Sequence, residues 1–212
     1  MKTGRITFHG NPWPEGHPIR EFTWSAYEDD GYVWMNFDLS TATYNSERQV
    51  EQDIEQVVSD WGCAVVWMNY HSCDLSSDHP EGQGFKVCHQ KRFTPAWLHG
   101  QEFKVDARPG RNYNPDDLAF QIYLLGHDSC ANHKISFQRV GSSNLFDITW
   151  TGKIALSYAG EYEFKHDFTA KICGVEFPFV DDDSGDDGCD DAAEYAGPGV
   201  GKVLRENIQH LD

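Results

Sequence analysis

Two stretches of alternating side chains, residues 144–156 (NLFDITWTGKIAL) and 162–173 (YEFKHDFTAKIC), set the strongest constraint on what this chain can fold into. Successive side chains of an extended backbone point to opposite faces, so period-two alternation marks a strand with one buried side. In the first stretch Phe146, Ile148 and Trp150 share a face. In the second Phe164, Phe168, Ala170 and Ile172 point inward and Lys165, Asp167 and Lys171 outward, with His166 on the inward parity as a buried polar residue. Ala159-Gly160-Glu161 suits the turn of a long hairpin between them.

The same reading, punctuated by Asp, Asn and Gly, predicts strands at 3–9, 21–27, 32–40, 63–71, 84–90, 101–107, 119–125 and 133–140. About ten strands with short turns predict a mainly β chain, an antiparallel β-sandwich or flattened barrel. Val-Trp-Met-Asn followed by an aromatic occurs twice, at 33–37 and 66–70, and predicts two near-equivalent paired strands. Residues 46–60 break the pattern. Ser46 and Gln49 suit a capping box, and Val50, Ile54, Val57 and Trp61 fall on one stripe, predicting an amphipathic helix over about 46–60. Asn114-Pro115-Asp116-Asp117 suits one further helical turn, with Pro at its first position.

The 39% hydrophobic and 14% aromatic content supports a packed core, and 212 residues suit one β-rich domain, placed at 1–180. Beyond it, 181–200 reads as an acidic loop or linker, and 201–212 (GKVLRENIQHLD) as a short C-terminal helix. The net charge is −17, of which −8 lies in 181–212 (ten acids, two bases), leaving −9 on 1–180. Such a field repels phosphate backbones, so nucleic acid is not an expected partner, whereas a basic protein or a cation is attracted. No run approaches the roughly 18 apolar residues of a membrane span and the N-terminus has no apolar signal core, so a soluble, cytoplasmic protein is expected. The six cysteines form no CxxC pair and are expected to be reduced.

Three constellations bear on chemistry. His71, Cys73 and Asp74 lie together in one segment; His127, Asp128, Cys130 and His133 in another; Cys88 and His89 are adjacent. His and Cys supply tetrahedral zinc sites, so His71, Cys73, His127, Cys130 and His133 are the candidate zinc ligands, although none of the tight spacings of a zinc motif is present. Counting from Asp183, a calcium loop places Asp187 fifth, Gly188 sixth, Asp191 ninth and Glu194 twelfth, but Gly185 offers no side-chain oxygen at position three and a strand-like segment precedes the run. Trp13 and Trp97, beside prolines in loops, are candidates for a sugar-stacking surface or for lids on the core. No nucleophile elbow, P-loop or dinucleotide fingerprint occurs. The leading expectation is therefore a non-enzymatic binding protein whose acidic surface engages a basic protein partner, of inhibitor, immunity or adaptor type. A zinc-dependent hydrolase and a calcium-binding β-domain are the alternatives.

Overall fold

The structure, a computed structural model, describes residues 4–46, 59–77, 84–110 and 112–178. Alternation is converted into ten strands: β1 (Gly4–Phe8), β2 (His17–Asp29), β3 (Tyr32–Thr41), β4 (Asp74–Ser76), β5 (Phe85–His89), β6 (Glu102–Val105), β7 (Gln121–Tyr123), β8 (His127–Arg139), β9 (Leu145–Ala155) and β10 (His166–Glu176). A five-residue helix, α1 (Ala64–Met68), lies between β3 and β4.

Every pairing is antiparallel, and β1–β2–β3–β4–β7–β8–β9–β10 returns to β1, closing an eight-stranded barrel. β5 and β6 stand outside this ring because β3 and β8 each fork. Residues 38–40 of β3 pair with β4 while 32–35 pair with β5; residues 127–129 of β8 pair with β7 while 133–136 pair with β6. Closure leaves the ring itself with no free edge.

The predicted hairpin is present as β9 and β10, with Phe146, Ile148, Trp150, Phe168, Ala170 and Ile172 all buried. Its second strand begins at His166 rather than 162, after a 3-10 turn at Ser157–Ala159 closed by Gly160 at φ +78°. The β2–β3 hairpin turns at Asp30-Gly31, both at positive φ (+47° and +74°), which matches the right-handed twist of the flanking strands.

The barrel interior is filled by side chains. Trp150 packs against Phe120 (4.6 Å), Phe37 (5.5 Å) and Phe168 (6.0 Å). Gly152, opposite Phe168, makes this possible: a Cβ there would stand 2.6 Å from the Phe168 ring and 2.7 Å from His133 Nδ1. An eight-stranded barrel is just wide enough for such filling, and among the described residues these rings occupy its interior.

The strand predicted at 63–71 is not formed. Asp60–Gly62 is a 3-10 turn and Ala64–Met68 is α1, so the two Val-Trp-Met-Asn copies do not pair: the first is in β3, the second in the helix. The reason is tertiary. Trp67 is completely buried among Phe8 (5.4 Å), Trp13 (6.0 Å), His17 (5.9 Å, stacked), Tyr44 (5.2 Å) and Trp61 (5.3 Å), and its Nε1 donates to the Trp61 carbonyl at 2.8 Å. These rings sit where β1 ends, β2 begins and β3 has ended, so α1 plugs that end of the barrel. Trp13 is one of these buried lids, and Trp97 is half-buried against Phe93 and Phe103.

Of the predicted helix at 46–60 only the ends are described, Ser46 closing a 3-10 turn and Asp60 opening another. The rest of it, the acidic stretch 181–200 and the segment 201–212 lie outside the described residues. No helix among the described residues is long and apolar enough to cross a membrane.

Candidate functional site

The loops at the plugged end of the barrel bring together three tyrosines and several carboxylates. The chain leaves α1 through a turn, Tyr70 N–H bonding to the Trp67 carbonyl, which sets Tyr70 over the plug. Tyr123 is the last residue of β7 and 39% exposed. In register beside it stand Asp74 of β4 and His127 of β8, the His127 ring 5.3 Å from its own. Tyr158 projects from the 157–159 turn, 37% exposed, over Gly126. A Cβ at Gly126 would approach Tyr158 Cβ to 2.8 Å, so glycine there gives the ring its seat. Tyr70 meets Tyr123 and Tyr158 edge-on, at 6.4 and 6.2 Å, the geometry ring quadrupoles favour. The Tyr158 hydroxyl donates to Asp60 Oδ2 at 3.1 Å.

Asp128 lies beneath this surface and is buried. Its Oδ2 accepts from Leu125 N–H at 3.0 Å. Oδ1 has no hydrogen bond among the described residues. Burial pushes the Asp128 carboxyl up to about 6, against the opposing pull of the Leu125, Tyr158 and Ser157 amides and of His127. Burial likewise raises the phenols of Tyr70 and Tyr158. The charges that add to this are other tyrosines and the carboxylates of Asp60 and Asp128, with no lysine or arginine among them. Among the described residues this surface is thus aromatic and negative.

Because its folded pKa lies above the unfolded value of 3.8, Asp128 contributes most stability below about pH 4, and that contribution is lost as the pH rises through about 6. Asp128→Asn is therefore expected to remove roughly one proton from the pH dependence of urea unfolding between pH 4 and 6. Superimposable profiles for variant and wild type would dismiss a raised Asp128 pKa.

The two His/Cys segments read as zinc-binding do converge here, but on their carboxylates. His71 and His127 are exposed, while Cys73, Cys130 and His133 are buried. Cys130 Sγ donates to the Phe120 carbonyl at 3.4 Å, and burial holds both thiols well above their usual range, Asp106 and Cys73 adding to the shift at Cys130. Among the described residues no three His, Cys, Asp or Glu side chains gather closely enough to hold a metal ion. Cys63, Cys73, Cys88, Cys130 and Cys173 are free thiols. The proposed calcium ligands Asp183, Asp187, Asp191 and Glu194 lie outside the described residues.

His133 belongs to a separate polar centre. Trp150 Nε1 donates to its Nδ1 at 3.2 Å, which leaves the ring hydrogen on Nε2, 3.9 Å from Asp106 Oδ2 and without a hydrogen bond. Asp106, Arg108 and Asn132 all take positive φ (+49°, +58° and +55°). They are tied by Asn132 N–H to the Asp106 carbonyl (3.0 Å) and Arg108 N–H to Asn132 Oδ1 (2.7 Å). This knot pins the irregular register of β8 between Ala131 and Lys134.

Set against protein-family models, curated proteins and solved structures, the chain matches none. The site therefore rests on its own geometry. Sequence reading singled out the segments holding Asp74 and Asp128 but missed Asp60, Tyr70, Tyr123 and Tyr158. Their one local signal is weak: Tyr123 occupies the exposed parity of β7, where a small polar residue is commoner.

Proposed function

We propose that this chain is a non-enzymatic binding protein that engages a basic protein partner through the tyrosine and carboxylate surface at the plugged end of its barrel. The single observation carrying this reading is that Tyr70, Tyr123 and Tyr158 stand among Asp60, Asp74 and Asp128 with, among the described residues, no lysine or arginine acting on the phenols of Tyr70 and Tyr158. Tyrosine is enriched at interface hot spots, where a large rigid ring is desolvated at small entropic cost. Unneutralised carboxylates around it favour a cationic counterpart and speed its encounter. The net charge of −17 acts in the same direction over longer range. The filled barrel interior supports surface recognition over ligand carriage.

The test is affinity capture from extracts of the native host at low and at moderate salt, using wild type and the doubly substituted Asp60→Asn/Asp74→Asn protein. A basic protein is expected on wild type, diminished at moderate salt and reduced about tenfold on the variant. Recovery of no partner at either salt, or equal recovery on both proteins, overturns the reading.

A further inference from the structure

We propose that the group this surface receives from its partner is an arginine side chain rather than a lysine, an inference that rests on the reading above. The surface couples two kinds of recognition within the reach of one side chain. Tyr123 and Tyr158 stand 6.4 and 6.2 Å from Tyr70, turned 69° and 68° to it, and both are partly exposed. Beside those rings lie exposed carboxylates on separate elements: Asp60 on the 60–62 turn, hydrogen-bonded through Oδ2 to the Tyr158 hydroxyl, and Asp74 on β4, in register with Tyr123. Beneath them the buried Asp128 has an oxygen without a hydrogen bond.

A guanidinium is planar, weakly hydrated and carries its donors in a rigid fork, so it stacks on a phenol ring while donating in its own plane to a carboxylate. An ammonium is a compact, strongly hydrated point charge. It satisfies a carboxylate well but must shed water to sit on a ring, and it gains no planar overlap. An all-carboxylate surface would not separate the two cations strongly. The tyrosines beside the carboxylates do, because the planar cation stacks on a ring while its fork donates in plane, whereas an ammonium over a ring, as Lys86 lies over Tyr32 at 3.9 Å, gains no planar overlap.

The distinguishing experiment uses two blocked hexapeptides of equal charge, Gly-Arg repeated three times and Gly-Lys repeated three times, titrated into the full chain and followed by calorimetry and by tyrosine chemical shifts. The arginine peptide is expected to bind about three- to tenfold more tightly, shifting Tyr70, Tyr123 and Tyr158. In Tyr123→Leu the preference is expected to shrink to within about twofold, whereas Asp60→Asn weakens both peptides by a similar factor. Tyr123 and Asp60 are exposed, so both variants are expected to fold. Equal affinity for the two peptides overturns the arginine inference alone. Binding of neither peptide overturns this inference together with the reading it rests on.

Discussion

Unfolding of this protein is expected to become markedly easier as the pH falls from 6.5 to 4, through two histidines that the fold buries in neutral form. His17, 0% exposed, lies among Trp13, Tyr44 and Trp67, and burial, with a smaller push from Arg5, lowers it to about 4. Asn11 fixes its tautomer. The Asn11 Oδ1 accepts from Trp13 N–H at 3.1 Å, so its amide nitrogen donates to His17 Nε2 at 3.2 Å and the ring hydrogen sits on an unpartnered Nδ1. His133, 2% exposed, is lowered by burial to about 3. In both, the folded pKa lies below that of the unfolded chain, so the unfolded chain takes up protons near pH 6.5 that the folded chain refuses. Stability is present above that pH and is lost on the way down.

At pH 4 the two histidines together cost roughly 6 kcal/mol, at about 1.4 kcal/mol per pKa unit. Asp128 acts in the opposite direction and returns roughly 2 kcal/mol over the same interval. The net loss of about 4 kcal/mol is a large share of the 5–15 kcal/mol that holds a typical domain together. Urea unfolding between pH 7 and 4 is expected to show uptake of about one proton on unfolding near pH 5, rising to about two in Asp128→Asn. A midpoint that stays level across this interval would contradict the burial of two neutral histidines.

The second large effect is expected from Trp67→Ala. The indole is enclosed by Phe8, Trp13, His17, Tyr44 and Trp61, so truncation leaves a cavity at the plugged end of the barrel and deprives the Trp61 carbonyl of its donor. Losses of about 3–5 kcal/mol accompany truncation of a buried tryptophan. Val65, two residues earlier on the same helix, is 48% exposed, and Val65→Ala is expected to change stability by less than about 0.5 kcal/mol. Chemical denaturation of the two variants measures the contrast. A Trp67→Ala protein within about 1 kcal/mol of wild type would remove α1 from its role as the plug.

The same tetrapeptide shows how far local pattern reaches. Val33-Trp34-Met35-Asn36 lies in β3, where Met35 and Val33 face the core and Trp34 stays half-buried outside. Val66-Trp67-Met68-Asn69 belongs to α1 and its cap, where Trp67 is the buried residue. Propensity and alternation are identical for the two copies, so nothing local separates them. What separates them is the ring of aromatics at the barrel end, which one indole fills. By contrast, β9 and β10 were legible because residues 145–154 and 166–172 alternate consistently, and within those runs a slip of one residue would turn every apolar side chain outward.

The candidate site was partly legible for a related reason. Asp74 and Asp128 drew attention through the histidines and cysteines beside them, yet those cysteines face the core, where an apolar thiol packs well, and the carboxylates and rings face the end of the barrel. Asp60, Tyr70, Asp74, Tyr123, Asp128 and Tyr158 come from segments up to 98 residues apart.

By itself, then, the sequence determined most of the strands, their inward faces and the negative charge, since period-two alternation and ionisation are properties of short stretches of chain. Closure into an eight-stranded ring, the helix at 64–68 and the meeting of three tyrosines with three carboxylates were decided by the tertiary structure. Each depends on which distant segments share a boundary, and that is settled by the packing of large rings and the pairing of strand edges across the whole chain.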